Sequence, residues 1–312
     1  MNLLTSDWTK LTEVFVQDSA SFPHLSKWLF ADRQLARGQR TEMSFYEPLG
    51  PDQILRYFNY LKGFKLDTTA LPPKARDLVD LAYSRDRKML EELGLYSPSL
   101  DKHLLAISAY NATDYWFFTQ VPQITGDPVQ SVLDFGAGHG RQANLLLAPQ
   151  LQSVPRSLVS VDGIVGSYVT AYNYYLAIGN EVQETLLAAN RETTNLTAEP
   201  SKVLHIPTWR LNQIQDQSID LIICVQVLRE ISVETLDFVL QQFQRIVKKN
   251  GFIYIRDHVD RHNPNGANQS EYLMRYGFEL EWSPKFIDKP DNGLNNHRIH
   301  GLPRIWRLTN EV

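Results

Sequence analysis

The residues best suited to chemistry lie in the stretch Ser131–Asn144, which reads S-V-L-D-F-G-A-G-H-G-R-Q-A-N. An apolar, strand-like run ends there in three glycines at alternate positions, and Asp134 stands just before the first of them. Such a turn brings backbone N–H groups close to a ligand, because no side chain intervenes. A carboxylate beside it suits a cationic ligand such as an amino group better than a phosphate. We predict a ligand-binding turn formed by Asp134, Gly136, Ala137 and Gly138, with a tight turn that binds nothing as the alternative.

A second acid, Asp162, ends the next predicted strand, Ser157–Asp162, and is followed by Gly163. An acid roughly 20 residues beyond a glycine turn suits a bidentate grip on ribose hydroxyls. The alternative for this acid is a turn or a helix cap. The segment His205–Trp209 follows another predicted strand, so that Ile206 and its neighbours could form a wall for an adenine ring or belong to the core.

Two further strand ends carry groups that can handle protons. The predicted strand Ser218–Val225 is followed by Gln226 and Glu230, and the predicted strand Phe252–Arg256 is followed by D-H-V-D-R-H-N. In a doubly wound sheet, ligands bind outside the carboxyl ends of the strands, where these groups would gather.

His258 is the expected catalytic base in that cluster, because a histidine titrates near neutral pH. Asp257 or Glu230 would orient it. A solvated polar loop is the alternative. Asp257, His258 and Asp260 have the ligand types of a divalent metal site, but their spacing matches no specific one, and no metal is predicted.

The elements that position these groups alternate between strand and helix from residue 129 onward. This order predicts a Rossmann-like, doubly wound, mostly parallel sheet with helices on both faces. Phe278–Trp282 and Arg304–Leu308 have no crossover helix between them and should pair antiparallel. A helix is expected over His139–Leu147, and Glu181–Asn190 is expected to be helical. The segment Lys285–Gly301 has the composition of a long loop near the site.

Residues 1–125 show no strand pattern and are predicted to form a helical cap that serves substrate binding or oligomerisation, for example as a homodimer. Residues 126–312 would form the catalytic domain. The cap contains an unusually aromatic stretch, Leu104–Gln120, in which Tyr110 or Tyr115 could close over a cofactor. Its alternative is a buried helix packed on the sheet.

The composition excludes several classes of protein. The 312-residue chain has a formal net charge of −4 and no basic block, which argues against nucleic acid as a partner. Its single cysteine, Cys224, lies in an apolar run and is expected in the core, not in a disulfide or zinc site. No apolar run approaches the ~20 residues that span a bilayer. Without a signal-peptide pattern, a cytoplasmic protein with no membrane partner is expected.

Four segments resemble class I methyltransferases that depend on S-adenosylmethionine (SAM). They read V-L-D-F-G-A-G-H-G-R, then V-S-V-D-G-I-V-G-S-Y with A-Y-N-Y-Y-L-A, then I-D-L-I-I-C-V-Q-V-L-R-E-I, and I-V-K-K-N-G-F-I-Y-I-R-D-H. Together they are most similar to a bacterial group described as sugar O-methyltransferases. The resemblance implies SAM binding by Asp134, Gly136, Gly138 and Asp162, and methyl transfer to a hydroxyl.

The chain departs from that group's pattern at Gly163, where Leu-Pro is expected, and at Arg229–Glu230. Both departures affect the substrate side. The predicted cofactor contacts are Asp134, Gly136, Ala137, Gly138, Asp162, Gly163, Ile206, Tyr110 and Gln226.

The predicted function is SAM-dependent methyl transfer to an oxygen of a small molecule, such as a sugar or a natural-product intermediate. The alternative is carboxyl O-methylation of a short peptide or an acid, which needs no strong base. An NAD-dependent oxidoreductase is disfavoured, because the glycines follow G-x-G-x-G and not G-x-G-x-x-G. A SAM-binding scaffold without catalysis stays open.

Overall fold

A computed structural model describes residues 6–27, 29, 54–55, 73–119, 121, 126–152, 156–188, 194–257, 265–283 and 302–309. Its helices of at least one full turn are α1 (Ser6–Ser19), α2 (Pro73–Glu92), α3 (Asp101–Phe118), α4 (Ala143–Leu146), α5 (Val165–Ala177), α6 (Val233–Ile246) and α7 (Gln269–Arg275). Its strands are β1 (Ser131–Phe135), β2 (Ser157–Asp162), β3 (Glu181–Glu184), β4 (Lys202–Pro207), β5 (Ile219–Val225), β6 (Val247–Asp257), β7 (Phe278–Trp282) and β8 (Leu302–Leu308).

The described strands form one sheet in the order β3-β4-β2-β1-β5-β6-β8-β7. The six strands from β3 to β6 in this order pair parallel, whereas β8 pairs antiparallel with both β6 and β7. The predicted Rossmann-like sheet with its antiparallel end is therefore confirmed. The carboxyl ends of β1, β2, β4, β5 and β6 consequently meet along one edge.

The helix expected over Glu181–Asn190 is wrong at its start, where the chain forms the edge strand β3. Helix α5 ends just before Gly179, whose φ of +86° lies in the left-handed region that terminates helices. In the following E-V-Q-E, exposed positions alternate with less exposed ones, and this period of two fits a half-exposed edge strand.

The core lies on both faces of the sheet, since successive strand residues point to opposite sides. Val132 packs on the side of α2 and α3, and Leu133 packs on the side of α6. Cys224 is buried among the apolar residues of the second side, as predicted. Helices from the first part of the chain pack against the rest of the fold. Helices α2 and α3 cover one face of the sheet, and α1 packs against α5.

Candidate cofactor-binding site

The glycine turn after β1 is held against β2 by its own backbone. The N–H groups of Gly136 and Ala137 donate to the carbonyl oxygen of Val161, at 2.9 and 3.1 Å. Gly138 and Gly140 have φ angles of +59° and +78°, a region that favours glycine. The predicted start of the following helix at His139 is wrong. Because these left-handed residues are incompatible with a helix, α4 begins at Ala143.

The glycines of this turn serve different purposes. A Cβ on Gly136 would lie 2.4 Å from Val227, and one on Gly140 would lie 2.3 Å from the ring of Tyr175. A Cβ on Gly138 would meet nothing within 4 Å. Gly136 and Gly140 are thus required by packing, whereas Gly138 borders open space in which a ligand can approach the backbone.

Asp134 lies directly below this turn with only 2% of its surface exposed. Its Oδ2 has no hydrogen-bond partner among the described residues. Burial raises the pKa of Asp134 to about 7, although the nearby positive charge of Arg141 opposes the rise. A buried carboxylate without a partner is unfavourable on its own and is stabilised by a cation placed beside it.

Asp162 ends β2 on the same edge. Its Oδ2 accepts a hydrogen bond from the N–H of Gly138 at 2.9 Å, and its Oδ1 accepts one from the N–H of Ile164 at 2.9 Å. Burial raises its pKa to about 6. The side chain therefore supports the turn before α5, and each carboxylate oxygen keeps a further lone pair that can accept a ribose hydroxyl.

A segment from the start of the chain, Phe22–Lys27, crosses this edge; we call it the crossing segment. The carbonyl oxygen of Leu25 would lie 2.6 Å from a Cβ on Gly163. The carbonyl oxygen of His24 accepts a hydrogen bond from Thr235 Oγ1 at 2.8 Å. The crossing segment thus leaves no room for a side chain at Gly163.

The segment after β4 is packed into the interior. Ile206 and His205 are fully buried, and His205 lies 3.8 Å from the ring centre of Tyr168. Trp209 packs against Phe15 and Phe22. These contacts match the packing alternative for His205 and Trp209, whereas the expected contact between Ile206 and a cofactor stays a prediction.

The polar groups after β5 and β6 are brought to the same edge. Gln226 has a φ of +57°, and its N–H donates to the carbonyl oxygen of Arg256 at 3.1 Å. The backbone oxygen of Glu230 accepts from the N–H of Leu29 at 2.8 Å, and its side chain is buried. The structure therefore connects the strand ends through main-chain contacts.

Asp257 is fully buried, and its Oδ2 accepts a hydrogen bond from Gln269 Nε2 at 3.0 Å. Arg229 Nε lies 3.9 Å from Asp257 Oδ1. His258, Asp260 and the predicted loop over residues 285–301 lie outside the described residues. The expected roles of His258 as base and of Asp257 or Glu230 as its orienting group therefore stay predictions.

Sequence reasoning missed a buried ionic cluster around Asp114 of α3. Arg256 Nε and Arg141 Nη2 donate to its two carboxylate oxygens at 2.6 and 2.7 Å. Tyr254 Oη and Gln142 Nε2 add hydrogen bonds of 3.0 and 3.1 Å. Although burial acts to raise the pKa of Asp114, the charges of Arg256 and Arg141 hold it well below its ordinary value.

The aromatic helix α3 is largely buried against the sheet, which agrees with the alternative of a buried helix given for Leu104–Gln120. Tyr110 is 6% exposed and lies under the guanidinium of Arg256, with 5.8 Å between the ring centre and Cζ. Burial raises the pKa of Tyr110 to about 12. The hydroxyl of Tyr115 accepts a hydrogen bond from Arg156 Nη1 at 2.8 Å. A contact between Tyr110 and a cofactor stays a prediction.

Within the described ranges, no three His, Cys, Asp or Glu side chains gather as metal ligands. The same ranges contain no helix with the length and apolar character needed to cross a membrane.

The chain matches a known family over part of its length. Residues 161–255, from the end of β2 to β6, match the family model described as "Methyltransferase domain". This segment is thus similar to a methyltransferase domain, the class of domain that the sequence resemblance also indicates. The residues present fit S-adenosylmethionine, because one carboxylate oxygen of Asp134 has no partner among the described residues and Gly138 borders open space. No curated protein matches the sequence.

Several solved structures are similar to the chain at low sequence identity. The 1,6-didemethyltoxoflavin-N1-methyltransferase of Burkholderia thailandensis, crystallised with 1,6-didemethyltoxoflavin and S-adenosylhomocysteine, is 13% identical with a TM-score of 0.42, and the match covers 77% of this chain and 92% of that chain. A SAM-dependent methyltransferase from Aquifex aeolicus is 13% identical with a TM-score of 0.43, over 62% and 89%. The plantazolicin methyltransferase BamL, in complex with a triazolic desmethylPZN analog and SAH, is 10% identical with a TM-score of 0.43, over 76% and 100%.

Proposed function

We propose that this methyltransferase transfers a methyl group from SAM to an oxygen of a small molecule, in the class of sugars or natural-product intermediates. The observation that supports cofactor binding is the buried oxygen of Asp134, which has no partner within the described ranges and lies next to a turn that borders open space at Gly138. Asp134 would hold the ammonium group of the cofactor, and Asp162 would accept hydrogen bonds from the ribose hydroxyls. Gly136, Ala137, Gly163, Ile206, Tyr110 and Gln226 would complete the contacts.

The bound cofactor supplies a sulfonium-activated methyl group, and the protein's task is to position the acceptor oxygen in line with it. A hydroxyl acceptor must also lose its proton. His258, the residue after Asp257, is the proposed base for that proton. Asp257 is already fixed by Gln269, so it would give the base a rigid neighbour.

Carboxyl O-methylation of an acid or short peptide is the second candidate, and Arg229 favours it. Its Nε has no hydrogen-bond partner among the described residues, and it lies 3.9 Å from Asp257, beyond hydrogen-bond distance. A guanidinium at the end of β5 is suited to a carboxylate acceptor. Such an acceptor is already deprotonated and needs no base.

A transfer assay with labelled SAM against sugars, phenols, acids and short peptides tests both candidates. For a hydroxyl acceptor, turnover should fall below a histidine-like pKa, and His258→Ala should lower turnover by about 10²-fold or more at saturating acceptor. A pH-independent rate with an active His258→Ala variant would favour the carboxyl acceptor. If wild-type protein binds neither SAM nor S-adenosylhomocysteine in calorimetry, the proposed function fails as a whole.

A further inference from the structure

The glycine turn is flanked by two residues of opposite charge. Asp134 stands just before Gly136, and Arg141 follows Gly140 directly. The positive charge of Arg141 acts on Asp134, whose pKa it lowers against the effect of burial. In the sequence, the two residues stand on either side of Gly138, which borders open space.

Arg141 is held in this place by helix α3. Its Nη2 donates to Asp114 Oδ2 at 2.7 Å and its Nη1 donates to Asn111 Oδ1 at 3.0 Å. Its side chain keeps 14% of its surface exposed, whereas that of Asp114 is fully buried. A long arginine side chain loses much of its conformational freedom when it is fixed at both terminal nitrogens.

Asp114 is itself fixed from the opposite side. Arg256 reaches both of its carboxylate oxygens, at 2.6 and 3.1 Å, and the hydroxyl of Tyr254 adds a contact at 3.0 Å. One carboxylate thus bonds two guanidinium groups, one after the glycine turn and one at the end of β6. Because every part of this cluster is constrained, the direction of Arg141 is set before any ligand arrives.

We infer that Asp114 is a positioning residue for the cofactor: it fixes Arg141 so that Arg141 and Asp134 present opposite charges to the zwitterionic amino-acid end of SAM. The ammonium group faces Asp134 and the carboxylate faces Arg141. The inference rests on the proposed function. It assigns a cofactor-directed role to a residue of α3, which lies outside the segment that matches the family model.

Calorimetry with two ligands tests this role. S-adenosylhomocysteine carries the amino-acid end, whereas 5′-methylthioadenosine has the same adenosine and sulfur but lacks that end. For Asp114→Asn we expect the Kd for S-adenosylhomocysteine to rise by about tenfold to 10²-fold. The Kd for 5′-methylthioadenosine should stay within about threefold of the wild-type value, because this ligand has no charged end to be oriented.

Asp86→Asn is the matched control. Asp86 is also a fully buried carboxylate of the same pair of helices, and it accepts hydrogen bonds from Asn144 and Tyr174 at 2.7 and 2.6 Å. It should leave the Kd of both ligands unchanged. If Asp114→Asn binds S-adenosylhomocysteine as tightly as wild type, or loses both ligands equally, the inference is overturned.

A double-mutant cycle separates positioning from general loss of structure. Arg141→Gln should reproduce the selective loss of S-adenosylhomocysteine, and adding Asp114→Asn to it should weaken binding no further. Additive effects of the two substitutions would contradict the inference. If Asp114→Asn does not fold, the selectivity of Arg141→Gln alone decides the outcome. Absence of S-adenosylhomocysteine binding by the wild-type protein would instead refute the proposed function.

Discussion

The two sides of the candidate site differ in how their buried charged side chains are paired. At the ends of β1 and β2, one oxygen of Asp134 has no partner among the described residues, and Asp162 is hydrogen-bonded by backbone N–H groups. Burial raises the pKa of both side chains. At the end of β6, Arg256 is paired with Asp114, and Asp257 is bonded by Gln269. Since an unpaired buried charge is costly, it indicates where a ligand completes the structure, whereas the buried pair of Asp114 and Arg256 belongs to the scaffold.

This comparison predicts that the largest loss of stability follows a substitution at the end of β6, where the buried charges are paired. Arg256→Met should lower the free energy of unfolding by about 3–5 kcal/mol, because it removes one partner of a buried ion pair. Denaturant-induced unfolding measures the change. Arg307→Met is the control, since Arg307 forms a partly exposed pair with Glu281 on a neighbouring strand, and it should cost under about 1 kcal/mol. If the two variants lose the same free energy of unfolding, the predicted difference between the buried and the partly exposed ion pair is wrong.

On the unpaired side, a substitution should stabilise the ligand-free protein. The pKa of Asp134 is about 7 in the folded state, above its unfolded value of about 3.9. The carboxyl therefore favours folding at low pH, and this contribution is lost as the pH rises to about 7. At pH 8, Asp134→Asn should raise the free energy of unfolding by about 1–3 kcal/mol while it weakens S-adenosylhomocysteine binding. Chemical denaturation with and without that ligand checks both; a less stable variant would contradict the comparison.

The smallest expected effect concerns the pH dependence of binding. An ammonium group prefers ionised Asp134, so S-adenosylhomocysteine should bind more tightly as the pH rises through about 7. Between pH 8 and pH 6 the affinity should fall by about tenfold. Asp134→Asn should remove most of this dependence, which calorimetry at a series of pH values would show. A wild-type profile that is flat over this range would mean that the proton of Asp134 is not linked to binding.

The sequence was most informative where local pattern determines structure. The glycine turn after β1 and the positions of Asp134 and Asp162 in the last residues of their strands could be predicted, since strand ends and glycine turns leave a clear local signal. Their contacts with a cofactor stay predictions. The strand β3 could not, because a four-residue edge strand differs little from a helix continuation. The crossing segment was also missed, because its contacts join distant parts of the chain.

The Asp114 cluster shows the same limit. Asp114 and Arg256 are separated by 142 positions, and no periodicity connects them. One signal was available: an acid in the middle of an apolar, aromatic helix must be paired if it is buried. That rule indicates that Asp114 has a cationic partner, but it does not identify Arg141 and Arg256.

The crossing segment also constrains the order of folding. His24 and Thr235 are 211 positions apart, so their hydrogen bond closes a very long loop of the chain. During synthesis, residues 22–27 leave the ribosome long before the strands whose ends they cross. They cannot take their final place until β5 and α6 have been made. Residues 22–27 thus complete the edge of the sheet at Gly163 only after β1 to β5 have been synthesised.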